Sequence, residues 1–243
     1  MSAAEALKGL REIEFHDALL GDLAFCVETR SCTLQMAIYE KEHARHRTEA
    51  TLAMTSVERC FASLDFRDLL ANAFAGNVQN CRVDVDRGAV RHYLCGGMLE
   101  TIPGSVSLSY GRELDPVDAV DAADAVDQTP GGTMIADSFA ALAGVEFMNS
   151  ILLRVEVSPK QGTCTLHVQM CPTEDSLDRV AARIVLRGVV FCLVSMDMPS
   201  LALERMHGNA LVCHVEEKRN IFRWYLMDGL IDVRAKSVSL IRD

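Results

Sequence analysis

The chain writes one pattern twice. Residues 14–109 align with 146–241 without a gap, at a constant offset of 132, and 27 of the 96 aligned positions are identical; unrelated sequence gives on the order of six. The identities are densest from Cys60 to Leu94, where Cys60, Ser63, Asp65, Leu69, Gly76, Asn77, Cys81, Val83, Arg91, Tyr93 and Leu94 recur as Cys192, Ser195, Asp197, Leu201, Gly208, Asn209, Cys213, Val215, Arg223, Tyr225 and Leu226. A register that never slips restricts the fold to two copies of one unit. It divides the chain into a first repeat (1–109), an acidic linker with a lead-in helix (110–140) and a second repeat (141–243).

Inside each repeat the apolar period is two, the signature of strands. Cys32, Leu34, Met36 and Ile38 share one face, matched by Cys164, Leu166, Val168 and Met170. Asp65 and Asp197 stand at helix N-cap positions, and Gly76 and Gly208 stand where those helices are expected to stop, two to three turns later. Ala50 to Leu64 reads as a single strand, and its counterpart Ala182 to Met196 is apolar on both parities, so it is expected to be the more deeply buried of the two. Short helices are expected at Ala3 to Leu10 and after Asp137. The fold class is therefore mainly β with some α: two antiparallel-sheet repeats, each with one short internal helix.

Composition narrows the function. The net charge of −10 is divided as −4 over residues 1–109, −6 over 110–140 and zero over 141–243. Such a field disfavours nucleic acid and anionic membrane and favours encounter with a basic protein. The expected contacts are Glu40, Glu42, Glu49 and Glu58 of the first repeat with Asp115, Asp118, Asp121, Asp124 and Asp127 of the linker. That linker has an aspartate at every third position, but it lacks the alternate oxygens and the glycine of a calcium loop. No apolar run spans a membrane and no secretory signal pattern opens the chain, so a cytoplasmic protein with free thiols is expected. Nine cysteines without close pairs suit that compartment.

No catalytic, cofactor or metal signature is present. His16-Asp17 is the nearest approach to an acid–base pair, and with Arg91 it defines an alternative site in a cleft between the repeats. The duplicate has Met148-Asn149 at that point, and adjacent strand residues face opposite ways. His43 and His46 lack further ligands nearby. The duplicated cysteines lie in phase with Leu, Val and Met, as core residues do.

Several short motifs resemble a loose group of small bacterial β-rich proteins, some of them similar to immunity proteins of polymorphic toxin systems. They are Glu14-Phe-His-Asp17, Leu64-Asp-Phe66, Gly76-Asn77, and the ending from Phe222-Arg-Trp-Tyr-Leu226 through Asp228-Gly-Leu-Ile-Asp-Val233 to Ala235-Lys-Ser-Val238. The resemblance covers each repeat in turn and implies a non-enzymatic protein-binding role, an acidic inhibitor that occludes a basic target. The rival expectations are an enzyme or small-molecule binder at His16, Asp17 and Arg91, and a scaffold without a dedicated ligand.

Overall fold

The computed structural model describes residues 3–40, 44, 46–73, 76–114, 132–171, 178–203 and 208–243. The first repeat opens with α1 (Ala3–Leu10), followed by β1 (Leu19–Cys26), β2 (Ser31–Ile38), β3 (Thr48–Thr55) and β4 (Arg59–Asp65). It continues through α2 (Phe66–Ala71), β5 (Val78–Asp84), β6 (Ala89–Leu94), β7 (Gly97–Ile102) and β8 (Ser105–Glu113). After β9 (Thr133–Ala136), the second repeat follows the same order. Its elements are α3 (Phe139–Ala143), β10 (Ile151–Ser158), β11 (Thr163–Met170), β12 (Val180–Arg187), β13 (Phe191–Asp197), α4 (Met198–Leu203), β14 (Ala210–Glu216), β15 (Ile221–Leu226), β16 (Gly229–Arg234) and β17 (Ser237–Arg242).

These strands form two antiparallel sheets, ordered β8-β3-β2-β1-β10-β11-β12-β17-β9 and β14-β15-β16-β13-β4-β7-β6-β5. Each repeat supplies four strands to each sheet, β9 adds a ninth to the first, and the repeats meet along two seams, β1 on β10 and β4 on β13. In the first seam Ala24 faces Glu156, and in the second Ala62 faces Val194. Both pairs join a residue to its own equivalent 132 positions on, so a pseudo-twofold axis passes through both sheets. The inward faces pack into one continuous core. Contacts such as Thr101 Oγ1 to Met54 Sδ, 3.0 Å, tie β7 of one sheet to β3 of the other. The lateral openings are closed by α1, which packs on β8 and β5, and by α3, which packs on β17 and β14.

Several local expectations change. Ala50 to Leu64 is two strands in different sheets, because the chain crosses between sheets at Ser56, whose φ is +50°; Gly188 (φ +61°) makes the equivalent crossing in the second repeat. The two-parity burial there arises because Val189 is buried within the crossing and Val185 is buried on the outer face of β12. α2 has only six residues, and it is capped by the Asp65 carboxylate on the amides of Arg67 and Asp68. In the second repeat Ser138, rather than Asp137, caps α3. Gly76 and Gly208 lie beyond the helices and do a different job. A Cβ on either would stand 2.4 Å from the carbonyl oxygen of Asp17 or Asn149. Glycine is required there for that approach and for its positive φ. The next residue completes the corner: buried Asn77 accepts from the Leu20 amide and Asn209 from the Leu152 amide, both at 2.8 Å.

Candidate functional site

His16 and Asp17 sit at that corner of the first repeat, and the fold explains the pair. Asp17 has φ +62° and its equivalent Asn149 has φ +63°, a left-handed conformation that Asp and Asn tolerate best among side-chain-bearing residues. His16 Nδ1 lies 3.0 Å from Asp17 Oδ2, with both side chains more than half exposed. Arg47 donates to the Asp17 carbonyl and Arg179 to that of Asn149, each at 3.0 Å. The left-handed backbone and the arginine on its carbonyl are thus repeated, and only the imidazole and the carboxylate are not, which makes this corner a structural joint. Arg91 lies on the outer face of β6, hydrogen-bonded to Glu100, and that bond raises its pKa. Arg223 and Asp232 repeat the pair in the second repeat.

Of the expected acidic contacts, Glu42 and the aspartates from 115 to 127 lie outside the described residues. Glu40, Glu49 and Glu58 are exposed but do not form one cluster. Glu49, near one end of β3, is paired with Arg112 at 3.2 Å. Glu58 lies past the other end, where its carbonyl accepts the Met198 amide of the second repeat.

Two adjoining grooves share Asp22 and Gln35: one of about 380 Å³ on the outer face of the nine-stranded sheet, and one of about 450 Å³ that runs from that face to Leu69 and Leu70 of α2. The first spans the pseudo-twofold axis and contains Arg154 and Glu156, but none of His16, Asp17 or Arg91 lines either groove. Glu156 is held by His167 at 3.0 Å and Arg154 at 2.8 Å. The His167 hydrogen bond keeps its carboxyl below the usual carboxylate range. Both oxygens are occupied in a resting ion pair, the opposite of a poised general acid. Among the described residues no group of three or more His, Cys, Asp or Glu side chains is placed to hold a metal, and no helix is long and apolar enough to cross a membrane.

The surface feature that stands out is apolar. Among the described residues ten large hydrophobic side chains are exposed, and six of them belong to one corner of the second repeat: Met148, Leu203, Leu211, Val212, Tyr225 and Met227. The corner is organised by Asn209, whose amide donates to Ser150 O, whose carbonyl accepts from the Met227 amide and whose side chain reaches Leu201 O. No protein-family model matches the chain, and no curated protein or solved structure is significantly similar to it. Its own first repeat is therefore the available comparison. At the equivalent positions that repeat has His16, Ala71, Gln79, Asn80, Tyr93 and Cys95. On a shared backbone, the second repeat has Leu, Val and Met where the first has two polar amides and an imidazole, and only the tyrosine is common to both.

Proposed function

We propose that the protein is a non-enzymatic protein-binding module that docks its partner on the apolar corner of the second repeat. The observation that carries this reading is the divergence of that corner between two repeats that share one fold. Folding does not require Met148, Leu211 and Val212 to be apolar, since the first repeat folds the same way with His16, Gln79 and Asn80 at those positions. Contiguous exposed apolar surface costs solubility and marks interaction sites in soluble proteins, and aromatic residues and Met are enriched where partners meet. An acidic, immunity-type inhibitor is one form of the reading. Its net charge would then act on the rate of encounter, while the corner supplies the contacts that slow dissociation.

The test borrows residues from the first repeat. In the variant L211Q/V212N, Leu211 and Val212 become the Gln and Asn of positions 79 and 80. Immobilised wild type is expected to retain at least one protein from its native lysate that the variant releases. Identical retention by the two proteins would refute the reading.

A further inference from the structure

We propose that the partner received at this corner is a second copy of the chain, added antiparallel to β14 across a twofold axis. This rests on the docking reading above and specifies its occupant. β14 is the outermost strand of the eight-stranded sheet, and no described strand pairs with its free edge. Such an edge presents unpaired amides and carbonyls to any other extended chain, and natural proteins usually blunt it with charge, proline or a covering group.

The first repeat shows how this fold blunts the equivalent edge, β5. Arg11 reaches across and donates from Nε and Nη2 to the Val83 carbonyl, at 3.1 and 3.0 Å, while Gln79, Asn80 and Arg82 project into solvent. In the second repeat these side-chain devices are gone, while α3 packs on β14 as α1 does on β5. Ala143, exposed at the end of α3, replaces Arg11; Leu211, Val212 and His214 replace Gln79, Asn80 and Arg82.

The Arg11 contact also fixes direction. The Val83 carbonyl points out of the sheet edge, so its equivalent Val215 points out of β14, and alternation sends the backbone of Cys213 the same way. A twofold centred on Cys213 therefore lets the two Cys213 residues exchange backbone hydrogen bonds. It sets Val212 opposite His214 of the second copy, within the regular part of β14 that ends at the bulge between Ala210 and Val212. No ionised side chain meets its own image.

Two observations favour a second copy over a charged partner. The chain already joins strands to their own equivalents in this way at both internal seams. In addition, residues 208–228 carry three acidic groups (Glu216, Glu217, Asp228) and three basic groups (Lys218, Arg219, Arg223), a balance of zero in a chain of −10. A neutral hairpin neither attracts a basic protein nor repels its own copy, whereas the remainder of each chain does repel the other. Self-association should consequently tighten as salt screens that repulsion, the reverse of the salt response of a basic partner.

Sedimentation velocity on the purified full chain, from low to high micromolar concentration, tests the proposal. Wild type is expected to show a reversible monomer–dimer equilibrium that strengthens with added sodium chloride. L211Q/V212N, and separately A143R, which rebuilds the clamp of the first repeat, should each weaken the dimer at least about tenfold. Circular dichroism and thermal melts check that both variants remain folded. Dimerisation should also slow amide exchange in residues 210–216. The proposal is overturned by a wild type that stays monomeric at about 100 μM, a concentration that detects even weak pairing. A dimer indifferent to both variants, or exchange protection confined to other strands, overturns it equally. If wild type is monomeric yet retains a lysate protein that L211Q/V212N releases, only the identity of the occupant fails. If the two also retain the same proteins, the docking reading fails with it.

Discussion

His92 gives the fold a built-in sensitivity to acid. It lies on the inner face of β6, 2% exposed, with its ring edge-on to Phe15 at 5.4 Å, and neither ring nitrogen has a hydrogen-bond partner. Burial lowers its pKa from 6.5 to about 4. The folded state thus holds the neutral ring and the unfolded chain takes up the proton first. The stability associated with neutral His92 is complete above pH 6.5 and declines by about 1.4 kcal/mol per pH unit as the pH falls. It levels off below the folded value near 4, after a loss of about 3 kcal/mol. Substituting His92→Phe keeps the contact with Phe15 and removes both unpaired nitrogens. Urea denaturation of wild type and H92F at several pH values from 7.5 to about 4.5 isolates this group, because carboxylate titrations cancel in the difference. The advantage of H92F should grow by about 2 kcal/mol or more between those limits. A flat difference, or an NMR titration of His92 near pH 6.5, would refute the reasoning. The duplicate supports it, since Trp224 occupies the same core position and is fully buried.

Other perturbations probe the duplicated corner and the core. Asn77→Ala and Asn209→Ala should each cost about 1–3 kcal/mol in chemical denaturation, since each strands a buried amide, of Leu20 or Leu152. Gly76→Ala and Gly208→Ala should cost more than about 4 kcal/mol each, as a Cβ would collide with backbone at a positive φ; soluble, wild-type-like yields would contradict this. The thiols of Cys32 and Cys60, and those of Cys164 and Cys192, neighbour each other inside the sandwich. Burial first, and then its neighbour, raises the pKa of Cys32, while the hydrogen bond to Cys192 followed by burial raises that of Cys164. A thiol reagent added to native protein should leave these four unmodified until denaturant is added, and rapid labelling of all nine cysteines would count against the packing.

How far the sequence is legible depends on which side of the duplication is read. Identities between repeats report what the fold needs. Gly76-Asn77 and Gly208-Asn209 are repeated because the corner needs a glycine against a left-handed residue and a buried amide behind it. Alternation located most strands, but it could not locate the passage between sheets at Ser56 and Gly188, where one strand-like run becomes two. Nor could it show that the repeats interlock, because pairing of β1 with β10 depends on which edges meet in space. Differences between repeats report what folding leaves free. His16 to Met148, Gln79 to Leu211, Asn80 to Val212 and Cys95 to Met227 all shift towards apolar, and lining up the outward positions at the offset of 132 would have revealed the corner. The charge count points to the first repeat and the linker, but formal charge alone says nothing of pairing such as that between Glu49 and Arg112.

The interlocked architecture has a direct test in the first repeat alone. Residues 1–114 expressed without the second repeat would expose the free edges of β1 and β4, two central strands lined with core residues. Interlocked halves predict that this fragment is unfolded as a monomer, or folds only by pairing β1 and β4 with a second fragment, so that its melting temperature rises with protein concentration. A monomeric fragment that unfolds cooperatively at a concentration-independent temperature would contradict the twofold sandwich.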